Sequence, residues 1–472
     1  MIHHVSTPRP DNAEKDTFAH TVFFSARRAL AHHATGGNVL MFATILALIV
    51  ANIPGINTYY NEFWNQEMRL QIGGFNLLSH AGHPMTVLQF INDALMAIFF
   101  FNIGLEIKRE ILVGELSSFR QALLPIMGAI GGMIAPVTLY YLFARGTDYV
   151  DGAAIPMATD IAFSLGIIAL LGSRVPSSLK IFLTTLAVVD DIGGIIVIAA
   201  FYTGHIDVAF LGYAAIGLLI LLVGGSVLKI QSKMFYFIIG GGVWFMVLNS
   251  GIHPTIAGVL VALCVPSTPV YAPYKYIKEI RQTIRKFRED DDLHGRTILS
   301  HEQMDWLKQI ETASDRVISP LQDMEDQLHP LTDYLIIPLF AFANAGIFLL
   351  DINPMTIVSG ISLAILVGLV VGKFIGILLF SWASVKLGLA PMPENADWKM
   401  MSAVSLLGGI GFTVSLFIAS LTFDASTPAG LAMLNDAKLG IVAGSLVAGI
   451  GGYILLRLSL PKETAEPDNE KK

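Results

Sequence analysis

Four ionisable side chains sit where charge is expensive: Asp160, Asp190, Asp191 and Lys373, each near the middle of a long apolar run. At the centre of a bilayer-spanning helix each costs about 2.5 to 3.5 kcal/mol even on the lenient insertion scale, so all four must face an interior or a watery cavity. One structural salt bridge with Lys373 would leave two carboxylates unexplained. Three acids and one base suit the binding of a small cation in competition with protons. Carboxylates are hard oxygen ligands, and backbone carbonyls can complete the shell. Asp190, Asp191 and Thr159 are therefore the expected ion- and proton-binding groups, with the two adjacent aspartates as metal ligands. Consecutive residues stand about 100° apart on a helix, so only one of the pair can point squarely into a given cavity. Asp191 is assigned to the ion and Asp190 to Lys373.

The backbone that must position these groups is unusual in two places. Before Asp160 the chain reads Gly152-Ala-Ala-Ile-Pro156-Met-Ala-Thr159, where Pro156 removes a helical hydrogen bond that Thr159 and Asp160 can help to replace. Later it reads Leu407-Gly408-Gly409-Ile-Gly411-Phe412-Thr413-Val-Ser415, and each interior glycine weakens a helix by roughly 1 kcal/mol. Broken helices at membrane depth are tolerated only around a cavity. The spacing predicts about twelve spans near 38–55, 88–108, 121–143, 152–171, 179–201, 208–228, 234–249, 252–267, 331–350, 357–382, 399–421 and 437–458. The third to fifth and tenth to twelfth form two three-helix sets entering from opposite sides, each broken in its middle helix, which is the pattern of an inverted-repeat transporter. The fold class read from this is an all-α integral membrane protein with two discontinuous crossing helices. Asp160 and Lys373 would then offset the like-signed partial charges of facing helix ends.

Composition agrees. Of 472 residues 54% are hydrophobic and 14% charged, against roughly 25% charged in soluble domains. The net charge of −7 says little, because acids and bases occupy different regions. Cys264 is alone, which rules out an internal disulfide and a Cys-based metal cluster. No cleavable signal is expected, since residues 1–37 are mostly polar and precede the first apolar run. Of 30 Lys and Arg, only Arg69, Arg145 and Lys438 fall on the outer side when both termini are placed in the cytoplasm. The positive-inside rule fits that orientation. The expected layout is a cytoplasmic tail 1–37, spans within 38–267, a cytoplasmic charged loop 268–328, spans within 329–458 and a tail 459–472. Outside, about 58–85, Met68, Leu70 and Ile72 alternate before Gly73-Gly74, Phe75 and Leu77, which predicts a small β-hairpin suited to a dimer contact or a capping flap. In the cytoplasmic loop, Ile277, Ile280, Ile284 and Phe287 recur among Lys275, Lys278, Arg281, Arg285, Lys286 and Arg288, as in an amphipathic helix lying on anionic membrane lipid. Lys108 and Arg109 read as orientation anchors at the membrane edge.

Five segments, taken in order, carry a resemblance: Gly104-Leu-Glu-Ile-Lys-Arg-Glu110, Ala158-Thr-Asp-Ile-Ala-Phe163, Val189-Asp-Asp-Ile-Gly193, Pro338-Leu-Phe-Ala-Phe-Ala-Asn-Ala-Gly346 and Gly409-Ile-Gly-Phe-Thr-Val-Ser415. Over about 38–458 the chain resembles the NhaA-type sodium/proton antiporters, a family that is itself a standard example of inverted-repeat architecture. The resemblance implies electrogenic, pH-regulated exchange of sodium or lithium against protons in the bacterial inner membrane, without a cofactor. It implies ion and proton binding at Asp190 and Asp191, and charge compensation and proton coupling at Asp160 and Lys373. It implies pH sensing at Glu106, Glu110, Glu325, His329 and His253, and a homodimer joined by the external hairpin. Three features depart from the family: a long 268–328 loop, a long amino-terminal extension, and Asp326 where a histidine is expected.

Three other classes remain to be weighed. An intramembrane aspartyl protease could use Asp160 with Asp191, but no Gly-x-Gly-Asp context is present and a buried lysine has no part in proteolysis. A passive cation channel would use rings of repeated groups, whereas these charges are single. A symporter would gate the same site differently. No feature points to nucleic acid.

Overall fold

The computed structural model describes residues 36–460 apart from 73–74, 77, 81–82, 205, 270–272, 290–299 and 349–353. Both expected tails, save for the residues where they adjoin the spans, lie outside the described residues. Among those described, eight helices are long and apolar enough to cross a membrane, or up to ten if two bent pairs count as one span each.

α1 (Gly36–Asn52) turns by 117° into α2 (Ile56–Trp64), so a helix occupies the start of the region expected as hairpin. Two short antiparallel strand pairs come next. β1 (Gln71–Ile72) pairs with β2 (Phe75–Asn76) around 73–74, and β3 (Ser79–His80) with β4 (His83–Pro84). The Gly73-Gly74 turn and Leu77 lie outside the described residues. α3 spans Val87–Leu112, α4 Phe119–Ala144, α6 Ser177–Phe201, α7 Val208–Ser226 and α8 Lys233–Ser250. Between α4 and α6 lies α5 (Val150–Ala169), whose 3-10 half Val150–Met157 and α-helical half Ile161–Ala169 are separated by Ala158, Thr159 and Asp160.

α9 covers only Thr255–Cys264, ten residues against the roughly 20 that cross a hydrocarbon core, so length alone does not support the expected span at 252–267. The charged loop is largely helical: α10 (Pro273–Glu289) packs on α11 (His301–Val317) through buried Tyr276, Thr283, Gln303 and Ala313. Ile277 and Ile284 stay about half exposed on the outer side of this pair. α12 begins at Pro320, eleven residues ahead of the expected boundary, and runs to Asn344 through a π turn at Thr332–Ile336.

The last three-helix set comprises α13 (Gly360–Lys386), the bent pair α14 (Trp398–Leu407) and α15 (Phe412–Thr422), and α16 (Pro428–Ser459). Lys438, expected outside, is buried ten residues into α16. Gly368, Gly372 and Gly376 recur every fourth residue along α13, and a Cβ on each would overlap Pro156, Pro136 and the backbone of Gly131 respectively. Small residues at that interval let membrane helices approach closely. The stripe thus seats α13 against α4 and α5, and that seating brings Lys373 to the centre.

Candidate functional site

α5 and the α14–α15 pair break at the same depth and satisfy each other. Asp160 N donates to Ile410 O at 2.6 Å, Thr159 Oγ1 to Gly408 O at 2.8 Å, Ser164 Oγ to Leu407 O at 3.1 Å and Ser415 Oγ to Ile155 O at 2.7 Å. Peptide groups freed by one break are thereby bonded by residues of the other, which is what a water-poor environment demands. Gly409 and Gly411 permit it: a Cβ on Gly409 would overlap Leu369 O, and one on Gly411 would press on Ala158 O.

The buried charges are fixed to this crossing. Asp160 Oδ1 accepts from Phe163 N at 3.0 Å, and its Oδ2 accepts from Thr413 N at 3.1 Å and Thr413 Oγ1 at 2.6 Å. One carboxylate thus caps the first turns of two helices, where the exposed N–H groups and the dipoles favour negative charge. Lys373, fully buried, donates to Asp190 Oδ2 at 2.5 Å and to Thr159 Oγ1 at 3.0 Å. Its charge reaches the carbonyl end of α14 through the Thr159 hydroxyl rather than directly. Asp190 Oδ1 has no hydrogen-bond partner.

A cavity of about 380 Å³ reaches the crossing from one end of the bundle. Thr159, Asp160, Asp191 and Thr413 line its inner part, with Asn102 on α3, and Glu106, His329, Thr332 and Asp333 also line it. Asp190 and Lys373 are not among its lining residues. No hydrogen bond or ion pair engages Asp191 among the described residues, and none of them form a group of three or more His, Cys, Asp or Glu able to hold a metal ion. A cation here would therefore be met by one carboxylate and neutral oxygens. Asp190, expected both beside Lys373 and as a metal ligand, is engaged with Lys373 through Oδ2.

Glu106, Glu110, Glu325 and His329 gather at that same end. Arg109, read from sequence as an anchor, stands between two of them: its Nη2 lies 3.1 Å from Glu110 Oε1 and its Nε 2.9 Å from Glu325 Oε1. The second contact is ionic but too oblique for a hydrogen bond. Burial pushes the Glu325 carboxyl up to about 7, with Arg109 pulling the other way. His329 Nδ1 lies 3.0 Å from Asp333 Oδ2, and this hydrogen bond lifts the imidazole to about 9 against the effect of burial. His253 is not part of this cluster. Its Nε2 is 3.6 Å from Asp93 Oδ1, its Nδ1 2.8 Å from Thr255 Oγ1, and its ring stands edge-on to Phe417.

Sequence reasoning missed Arg109, Asn102, Thr413, Asp333 and Asp93 as site residues. Asp93 and Asn102 carried a usable signal, since each is a polar residue within an apolar span. The role of Arg109 depends on Glu325 in another helix and had no local signature, whereas Asp333 follows His329 by four residues in the same helix, a spacing visible in the sequence.

Residues 27–456 match the family model described as Na+/H+ antiporter 1. The chain is 52% identical over 443 residues to a protein of Phocaeicola vulgatus named Na(+)/H(+) antiporter NhaA, covering 94% of this chain and 98% of that one. It is 49% identical to the protein of that name from Bacteroides thetaiotaomicron (93% and 99% covered) and 45% identical to that from Porphyromonas gingivalis (96% and 99% covered).

Removing one partner of the Asp190–Lys373 pair leaves the other charge buried, so Lys373→Met should lower stability by about 3–5 kcal/mol. Lys373→Met combined with Asp190→Asn should recover most of that loss. Thermal unfolding of the purified proteins in detergent checks it; equal losses in the single and double variants would show that the pair is not what holds these residues.

Proposed function

The chain belongs to the Na+/H+ antiporter 1 family, and from that premise we propose how its buried charges exchange one ion for the other. It is a secondary transporter, a sodium/proton antiporter of a bacterial membrane, and not an enzyme.

In our reading Asp191 is the exchange site. The observation that carries it is the contrast at the crossing: Asp160 has both oxygens engaged, Asp190 is held by Lys373, and Asp191 alone meets the cavity without an ion-pair or hydrogen-bond partner among the described residues. A carboxylate can hold a proton or coordinate a sodium or lithium ion, and occupancy by one weakens the other. Strict competition at a site that opens alternately to the two sides suffices for antiport. A cation charge settling at Asp191 also repels the Lys373 ammonium and favours release of its proton, which would make the exchange electrogenic. Asp160 stays charged throughout as the cap of two helices. That commitment also counts against pairing it with Asp191 as a protease dyad.

Counting α1, α9 and the part of α12 from Leu331 onward as crossings gives twelve spans, with both termini on the cytoplasmic face of the inner membrane. α4–α6 and α13–α16 then form the two inverted sets. The Glu106, Glu110, Glu325 and His329 cluster at the cavity mouth is our proposed pH sensor. Glu325, its carboxyl raised by burial, loses stability contribution as pH climbs from its ordinary range to about 7, because the charged form is the disfavoured one there. The His329–Asp333 contact contributes fully below the ordinary histidine value and is lost as pH rises through about 9. Both changes loosen the mouth as the medium becomes alkaline. The paired strands around 71–84 are the proposed contact with a second copy, since so short a ribbon gains from pairing.

Vesicles loaded with a pH dye and made acidic inside should turn alkaline on external addition of sodium or lithium but not potassium or choline. Asp191→Asn should abolish the response while inserting and folding normally; a well-folded Asp191→Asn protein with ordinary exchange would overturn the site assignment. In the same vesicles Glu325→Gln should remove the step in rate near pH 7 and His329→Gln the step near pH 9. Unchanged pH profiles in both variants would place the sensor elsewhere. Deleting 68–84 should leave exchange intact and sharply reduce the cross-linked dimer, and a dimer that survives the deletion would be joined by another surface.

A further inference from the structure

Asn102 interrupts the apolar run Met96-Ala-Ile-Phe-Phe-Phe101 of α3 and is 6% exposed. Its Oδ1 is buried without a hydrogen-bond partner, and the side chain lines the same cavity as Asp191. An orphaned amide carbonyl inside a protein is costly, and a leucine of similar volume would fill the position without that cost. Two hydroxyls lining the inner cavity are already committed, since Thr159 donates to Gly408 and Thr413 to Asp160. The inner cavity is thus lined by one carboxylate left unengaged, that of Asp191, and by a residue whose amide oxygen is spare. Hard cations stripped of water take neutral amide oxygens alongside carboxylates, whereas an amide oxygen has almost no affinity for a proton at physiological pH.

We propose that Asn102 Oδ1 is a direct ligand of the transported alkali cation, completing with Asp191 the oxygen shell that lets the cation compete with protons. This rests on Asp191 being the exchange site. It adds a division of labour: the carboxylate binds either ion, and the amide binds only the metal. Loss of the amide should then raise the sodium requirement at fixed pH without moving the proton-dependent limb of the profile.

The test is exchange in acid-loaded vesicles at several sodium and lithium concentrations, with thermal unfolding run in parallel. Asn102→Leu should raise the KM for sodium about tenfold or more, the ratio corresponding to about 1.4 kcal/mol, with kcat largely kept. The ratio of sodium to lithium KM should change by at least threefold, since an oxygen at fixed distance suits the two ions differently; a merely structural defect would scale both alike. Asn102→Asp keeps the oxygen and adds a proton-binding charge, so it should retain a low sodium KM while shifting the pH profile to more alkaline values. Sodium and lithium KM within twofold of the parent in Asn102→Leu would overturn the proposal and make Asn102 a water-bonded structural residue. Should Asn102→Leu not fold, an Asn102→Asp protein with an unshifted pH profile would overturn it equally. If the parent protein itself shows no sodium-driven alkalinisation, the antiport reading fails first; if it does and only the Asn102 expectations fail, that reading stands.

Discussion

Inside a bilayer no water is at hand to bond a free peptide group, and the arrangement of this protein stems from how two broken helices meet that constraint together. α5 and the α14–α15 pair are each interrupted, and side chains and amides at one interruption bond the other: Asp160 N to Ile410 O, Thr159 to Gly408, Ser415 to Ile155. Neither segment would be tolerable alone. Because the solution is mutual, the two must cross at one depth. The glycines at 409 and 411 and the Gly368–Gly372–Gly376 stripe of α13 are what allow the backbones to come that close.

A crossing of this kind concentrates partial charge. Two helix beginnings meet Asp160, and the carbonyl end of α14 is served by Thr159 under Lys373. The cost of burying Asp160 is offset by three hydrogen bonds to its charged form, and that of Lys373 by Asp190 and the Thr159 hydroxyl. Once these are settled, Asp191 is left over, one residue on from Asp190 and rotated about a hundred degrees from it. The same helical geometry that pairs Asp190 with Lys373 turns Asp191 to the cavity. On the proposed assignment, function and scaffold are separated by a single residue of register on α6.

The buried charges and the two breaks were legible in the sequence, because charge in an apolar run is conspicuous and Pro156 and the Gly408–Gly411 cluster mark the interruptions. Other parts were hidden for identifiable reasons. α10 was expected as an amphipathic helix, but α11 lay in a stretch whose polarity reads as loop, although Ser300 and Gln303 form a capping box that signals its start. α2 was absorbed into the expected hairpin because it is only nine residues long, although its buried Tyr60 and Trp64 stand at helical spacing. Hydropathy extends 252–267 beyond the ten residues of α9, since Pro254 and Pro266 bound the helix but leave the run apolar. The wide turns at Ile91–Leu95, Thr332–Ile336 and Gly368–Gly372 have no sequence signature, yet each contains or adjoins an ionisable residue, Asp93, Asp333 or Lys373. Such turns are frequent at functional sites because the extra residue re-aims the side chains beyond it.

α3 ties the parts together. Asn102, Glu106 and Arg109 succeed one another at intervals of four and three, so they share one face of the helix, running from the inner cavity through its lining to the ion pair with Glu325. The opposite packing is tight and smooth: a Cβ on Gly258 would overlap Ala97 O, and one on Gly104 would crowd Ala262 and Val259 of α9. Glycines on that side bring α3 and α9 into close contact, while the other side is left to polar and titratable contacts. Asn102 and the Arg109–Glu325 ion pair are therefore joined by one continuous helical stretch of α3.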